Sequence, residues 1–259
     1  MNLILWAESP EEARTFIERI YSLSDLPPIS QIYVAKRSPK SRSNNYVGGE
    51  YYRTTNDEDV DVYEDTIVAP QAIIDLVQWC TCDIMLSDGD QPLVVIEDTT
   101  HIVRMNVYQR VPRLVKASQL GVKSIILQGT RGLDFSKRGD CWGFYRYLQA
   151  FHAIKKVYPD TPSIPVWYLP DDDSQIEAEH RVANLLHSIL INDHESYKSE
   201  SNNITNEISQ IMNKGFNGYI PPPIPSMVDE DNCAIVKIGA KPDKKSWREK
   251  GSGQMDPYL

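Results

Sequence analysis

Cys82-Asp83-Ile84-Met85-Leu86 and Leu93-Val94-Val95-Ile96-Glu97-Asp98-Thr99 are the two stretches on which the predicted fold depends. Ser87-Asp88-Gly89-Asp90 lies between them and carries the Asp-Gly signal of a tight hairpin turn. The aliphatic run at 93–96 is typical of a central strand that is buried on both faces. Together they predict a hairpin inside a buried sheet.

The acids of this hairpin suggest a metal site. Strand alternation places Glu97 and Thr99 on one face of their strand and Asp98 on the other. If the two strands pair, Asp83 and Glu97 lie on neighbouring strands near the open end of the hairpin. Two carboxylates beside a buried sheet are hard oxygen ligands of the kind that Mg²⁺ prefers. An ion there could activate water and neutralise the charge that develops on a phosphodiester.

Strands and helices alternate around the hairpin, which predicts an α/β fold with a mixed central β-sheet flanked by helices. The expected strands are 3–6, 32–35, 82–86, 93–96, 122–128 and 165–169, and the expected helices are 9–23, 69–79, 103–120, 142–158 and 175–191. Pro112 implies a kink or a late start in the third of these helices. The domain is predicted over 1–192. Residues 193–259 are expected to be a polar and Pro-rich linker with one weak helix and a small C-terminal segment. The natural chain is expected to continue beyond this segment or to have been cut there.

Composition limits the class of protein. The chain has 259 residues, of which 41% are hydrophobic and 24% charged, so a wholly disordered chain is excluded. No apolar run reaches the roughly 18–20 residues that span a bilayer, and the N-terminus lacks a signal-peptide pattern, so no membrane partner and a cytoplasmic location are expected. The net charge of -9 argues against a surface that binds nucleic acid everywhere, but a local basic groove remains compatible with it.

The order of acids and strands resembles that of the PD-(D/E)XK nuclease superfamily, which includes many restriction endonucleases. The resemblance covers residues 69–130, and the flanks resemble the family in element order only. Asp83 looks like the first acid of the motif and Glu97 like the second, while Thr99 stands in the place of the motif lysine. The resemblance implies a restriction-endonuclease-like core that holds Mg²⁺ through Asp83, Glu97 and the carbonyl of Asp98. It also implies that Gln109 and Arg110 face the phosphate.

Thr99 departs from the family pattern. The lysine of the family positions or deprotonates the attacking water, and threonine cannot do so as a cation. Lys116 and Lys123 are candidate replacements and His101 is a weaker one, and the spacing does not choose among them. Glu64 is a speculative additional acid from the preceding segment.

The expected function is hydrolysis of phosphodiester bonds by a Mg²⁺-dependent DNA endonuclease, a type II restriction-type enzyme. The expected partner is double-stranded DNA, and this function is compatible with a homodimer. The candidate nucleic-acid contacts are Gln109, Arg110, Arg113, Lys36, Arg37, Lys40 and Arg42. The alternative is a catalytically inactive nuclease-fold module that binds nucleic acid or a protein partner. A structural subunit whose Pro-rich tail docks elsewhere is a third interpretation.

Overall fold

An eight-stranded mixed sheet forms the centre of the protein. The computed structural model describes residues 1–36, 49–54, 63–77, 82–99, 111–130, 133–161, 163–169, 172–221, 226–228 and 234–236. The strands are β1 (Leu3–Ala7), β2 (Gln31–Ala35), β3 (Glu50–Thr54), β4 (Tyr63–Val68), β5 (Ile84–Asp88), β6 (Gln91–Asp98), β7 (Lys123–Gly129) and β8 (Ser163–Tyr168). They are ordered β4-β3-β2-β1-β5-β6-β7-β8. The helices are α1 (Pro10–Arg19), α2 (Gln71–Val77), α3 (Val111–Gln119), α4 (Arg138–Val157), α5 (Asp172–Leu190) and α6 (His194–Lys214). The predicted α/β class is confirmed.

The predicted hairpin is confirmed as β5 and β6. The two strands are antiparallel and are joined by a tight turn. In this turn Gly89 has a φ of +53°, a left-handed backbone conformation that residues with a side chain rarely adopt. Ile84 pairs with Ile96, so the residues just beyond this pair face each other where the hairpin opens.

Strand directions bring several strand ends to one edge of the sheet. β1 is parallel to β2 and antiparallel to β5, and β5 is antiparallel to β6. β6, β7 and β8 are parallel to one another. The carboxyl ends of β1, β2, β6, β7 and β8 therefore share an edge with the amino end of β5. We call this edge the carboxyl edge.

Helices cover both faces of the sheet. On the first face, Phe16 of α1 and Leu186 of α5 belong to one core cluster with Ile96. On the second face, Ile73 of α2 belongs to a cluster with Val95. Alternate residues of β6 thus point into different clusters, as expected for a strand that is buried on both sides.

Two strands, β3 and β4, lie between residues 36 and 69, where the sequence predicts no strand. β3 and β4 pair with each other, and β3 extends the sheet beyond β2. The buried residues of β3 are Tyr51 and Thr54, which lie three positions apart and so break the two-residue alternation of a regular strand. The register of β3 against β4 shifts between Tyr52 and Thr54. The polar and acidic composition of this region hides a pattern of only two inward side chains.

The helix α6 lies beyond the boundary that the sequence predicts at Asn192. It has 21 residues, begins with Asp193 as its N-cap and ends at Gly215. Tyr197, Ile204 and Ile208 are buried in the same core cluster as the residues of α4 and α5. Residues 194–214 therefore form part of the packed domain, whereas the sequence predicts one weak helix near 204–212.

A separate two-stranded sheet pairs β9 (Ser226–Val228) with β10 (Ala234–Val236). Within the described parts of the chain, no helix is both long and apolar enough to span a membrane.

Candidate functional site

Asp83 and Glu97 meet at the carboxyl edge. They flank the last pair of the hairpin, Ile84 and Ile96, and so face each other on the second face of the sheet. Their exposed fractions are 1% and 0%. The predicted proximity of the two acids is confirmed. Burying two carboxylates costs free energy unless a cation or hydrogen bonds compensate their charge.

Arg113 supplies a positive charge to both acids. It lies in the first turn of α3, and its Nη1 is 3.1 Å from Oε2 and 3.3 Å from Oε1 of Glu97. The same Nη1 is 3.9 Å from Oδ1 of Asp83. The backbone N–H of Asp98 donates to Oδ2 of Asp83 over 2.8 Å. The sequence predicts Arg113 as a nucleic-acid contact, and the structure places its guanidinium against the acids.

Two acids that the sequence pattern does not single out join Asp83. Glu8 directly follows β1, and its backbone N–H donates to the carbonyl oxygen of Asp83 over 2.9 Å. Ser9 caps α1 by accepting from the N–H of Glu12, which places Glu12 in the first turn of the helix. Carboxylate oxygens of Glu8, Glu12 and Asp83 all lie within 4.8 Å of one another. We call these three residues the acidic cluster.

The acidic cluster suits a hard divalent cation. All its donors are carboxylate oxygens, which Mg²⁺ prefers, and three negative charges so close together repel one another. Asp83 is buried, while Glu8 and Glu12 are partly exposed, so the cluster lies at the boundary between the core and solvent. A sequence signal for Glu8 does exist: it is a carboxylate directly after a buried strand. However, the residues that follow it, Pro10, Glu11 and Glu12, are equally typical of the start of a helix, so the pattern does not single out Glu8.

Thr99 is held against β7. Its backbone N–H donates to the carbonyl of Leu127 over 2.9 Å. Its hydroxyl oxygen is 2.9 Å from the same carbonyl oxygen and 2.8 Å from Oε1 of Gln128. Thr99 is fully buried, so these contacts fix the end of β6 onto β7. A direct role for Thr99 in the chemistry stays a prediction.

The two candidate lysines lie in different places from Arg113. Lys123 begins β7 beside Val94, three residues before Glu97, and its ammonium nitrogen is 5.4 Å from the ring centroid of Tyr197. Burial lowers the pKa of Lys123. Lys116 is one turn beyond Arg113 on α3 and forms no ion pair with a carboxylate of the described residues. Of these three cations, Arg113 is the one in contact with the acids.

Asp98 faces the other side of the sheet. Its Oδ2 is 3.2 Å from Nη1 of Arg19, whose Nε is 3.0 Å from Oε1 of Glu179 on α5. Burial lowers the pKa of Arg19, but the hydrogen bond to Glu179 and the charges of Asp98 and Glu179 outweigh it, and the pKa is raised overall. The Asp98 carboxylate thus ties β6 to α1 and α5. The predicted use of its carbonyl as a metal ligand stays a prediction.

Several residues predicted to belong to the site or to contact nucleic acid lie outside the described residues. They are Gln109, Arg110, Arg37, Lys40, Arg42 and His101, together with the side chain of Glu64. Lys36 is described: its Nζ is 3.4 Å from Oε2 of Glu50 and 5.7 Å from the ring centroid of Tyr52. Contact of the cations of residues 36–42 with DNA stays a prediction.

Comparison of the chain with models of protein families, with curated proteins and with solved structures found no match. The geometry of the carboxyl edge is therefore the guide to the function of this chain. That edge combines an acidic cluster with a guanidinium, which is an arrangement suited to a divalent cation and a phosphate group.

Proposed function

We propose that this chain is a Mg²⁺-dependent DNA endonuclease, of the type II restriction type, with a restriction-endonuclease-like core. The observation that carries the proposal is the acidic cluster: carboxylate oxygens of Glu8, Glu12 and Asp83 lie within 4.8 Å of one another at the carboxyl edge. The order of elements supports it, because α2, β5, β6, α3 and β7 follow one another as the resemblance to PD-(D/E)XK nucleases implies.

In this proposal Asp83, Glu8 and Glu12 hold the ion. The backbone N–H of Asp98 orients Asp83 by donating to Oδ2, and Ser9 fixes the turn that presents Glu12. Bound Mg²⁺ supplies positive charge to the phosphodiester and increases the acidity of water. Arg113 adds a fixed positive charge 3.9 Å from Asp83, which favours an anionic substrate at the same edge.

A second candidate is the inactive nuclease-fold module that binds nucleic acid or a protein partner. The observation that favours it is the contact of Arg113 with both Glu97 and Asp83. A guanidinium there compensates the charge of the two motif acids without a metal ion. The contacts of the Thr99 hydroxyl with β7 also favour the inactive module, because Thr99 then does not replace the motif lysine.

Plasmid cleavage separates the two candidates. The wild-type protein is expected to cleave plasmid DNA in Mg²⁺ and not in EDTA, and Asp83→Asn is expected to abolish cleavage. Asp90→Asn is the matched control, because Asp90 lies exposed in the turn at the far end of the same hairpin. Intact plasmid in Mg²⁺ together with retained DNA binding would favour the inactive module. Full activity of Asp83→Asn would remove Asp83 from the site.

A further inference from the structure

Glu97 is a buried acid whose contacts differ from those expected of a metal ligand. Its side chain is 0% exposed, and both of its oxygens lie within 3.3 Å of Nη1 of Arg113. It is not among the three acids whose oxygens come together in the acidic cluster. Glu97 therefore directs its charge at the guanidinium.

Arg113 connects the buried acids to solvent. Its side chain is 16% exposed, whereas those of Asp83 and Glu97 are 1% and 0% exposed. A guanidinium has five N–H donors in a planar fork that fits phosphate oxygens, so Arg113 can contact a carboxylate and an anion from solvent together. A carboxylate behind an arginine restricts its rotamers and fixes the direction of its donors.

We propose that Glu97 is a positioning residue, which holds Arg113 so that its guanidinium binds a phosphate of the nucleic acid beside Asp83. This inference rests on the proposed function and changes the role that the sequence predicts for Glu97, from metal ligand to partner of a phosphate-binding arginine. It also gives Arg113 the cationic role beside the acids for which Thr99 is unsuited.

The two possible roles of Glu97, positioning residue and metal ligand, predict different effects of its mutation on metal binding and on DNA binding. The probes are Mn²⁺, titrated calorimetrically into the DNA-free protein, and a fluorescent DNA duplex, whose binding is followed by anisotropy in EDTA. Asp83→Asn is expected to lower the Mn²⁺ affinity by about tenfold or more, whereas Glu97→Gln is expected to leave it nearly unchanged. Both Glu97→Gln and Arg113→Met are expected to weaken duplex binding by about tenfold, as for a charged hydrogen bond.

The double variant tests whether Glu97 acts through Arg113. Adding Glu97→Gln to Arg113→Met is expected to leave duplex affinity where Arg113→Met alone leaves it. Removing the cation that neutralises one phosphate is expected to lower the slope of log affinity against log salt by about 0.9. In active protein, the same variants are expected to raise KM for DNA more than they lower kcat.

Several outcomes would overturn the inference. A fall in Mn²⁺ affinity in Glu97→Gln as large as that in Asp83→Asn would make Glu97 a ligand. Unchanged duplex affinity and salt slope in Arg113→Met would make the ion pair purely structural. Glu97→Asp and Arg113→Lys keep the charges but alter the geometry, and they are expected to show the same effects in weaker form if the first variants do not fold. Duplex binding and Mn²⁺ binding need no turnover. Failure of the protein to cleave DNA would therefore count against the proposed endonuclease function and not against this role of Glu97.

Discussion

Neutralising Glu12 tests the acidic cluster without touching the ion pair of Arg113. Glu12 is partly exposed in the first turn of α1, and its carboxylate lies within 4.8 Å of those of Glu8 and Asp83. Two unit charges at that distance repel by about 3.5 kcal/mol at an effective dielectric constant of 20, and by about 0.9 kcal/mol at 80. Glu12→Gln removes two such repulsions. It also loses a favourable interaction with the helix dipole of about 0.3–1 kcal/mol.

The expected net effect in EDTA is stabilisation by about 1–3 kcal/mol, because the site is only half-buried and the repulsion is partly screened. For a domain of this size that corresponds to an increase in Tm of about 2–12 °C. In Mg²⁺ the stability advantage of Glu12→Gln over the wild type is expected to shrink. An ion at a hundred times its Kd stabilises a folded protein by about 2.7 kcal/mol, and removing a ligand reduces this gain.

Glu11→Gln is the matched control. Glu11 lies in the same helical turn and meets the same dipole, but it is exposed and lies outside the acidic cluster. Its Tm in EDTA is expected to fall slightly, and its stabilisation by Mg²⁺ is expected to equal that of the wild type. Thermal unfolding of all three proteins by circular dichroism measures both quantities. If Glu12→Gln matches Glu11→Gln in both buffers, the cluster neither stores repulsion nor binds the ion.

Three further predictions concern stability and DNA binding. The Tyr197 hydroxyl has no hydrogen-bond partner among the described residues, and burial raises its pKa, so Tyr197→Phe is expected to stabilise the protein by about 1 kcal/mol; a destabilisation of that size in urea unfolding would reveal a hidden partner. Burial, with the charge of Lys156, lowers the pKa of His152. Its contribution is therefore present above about pH 6.5 and lost as the pH falls through the folded pKa, so unfolding at pH 7.5 and 5.5 should differ more in the wild type than in His152→Gln. Replacing the four cations of residues 36–42 with Ser should lower the salt slope of duplex binding by about 0.9 for each phosphate that these cations neutralise, and an unchanged slope would exclude them from the interface.

The hairpin was predictable because the information is local. The turn at Gly89 and the two apolar stretches lie within 18 residues of chain, and a two-residue turn sets the register of the strand residues next to it. That register alone would pair Asp83 with Ile96. A register shift between Leu86 and Ser87 brings Asp83 opposite Glu97 instead, and no local signal predicts that shift. Arg113 is recognisable in the sequence as a basic residue near the site, but its contact with the acids depends on how α3 crosses the sheet.

The acidic cluster depends on non-local pairing, so the sequence pattern could not predict it. Glu8 reaches Asp83 only because β1 pairs antiparallel with β5, and 75 positions separate these two acids in the chain. Glu12 could be explained equally well as a helix-start acid, because it stands three residues after the capping Ser9. The pairing of β1 with β5 places the first turn of α1 beside Asp83, and this brings Glu12 into the cluster.

α6 illustrates a different difficulty, in which composition obscures periodicity. Its sequence is rich in Ser and Asn, which have low helix propensity, and this composition favours a linker. Its buried residues nevertheless recur at Tyr197, Ser201, Ile204 and Ile208, a spacing of three and four that defines one helix face. Tertiary burial of that face against α4 and α5 outweighs the weak local preference.

The location of the site follows from the topology. The connection from β1 through α1 leads to β2 on one side of the sheet, whereas β6 leads through α3 to β7 on the other. Because the chain departs in opposite directions, α1 and α3 both begin at the carboxyl edge on either side of β5. Glu12 in the first turn of α1 and Arg113 in that of α3 can therefore approach Asp83 from two sides, in the kind of crevice where open α/β sheets bind ligands. The acid-rich side of Asp83 suits a cation and the arginine side suits an anion, so in the proposed function one buried carboxylate would lie between a metal ion and a phosphate.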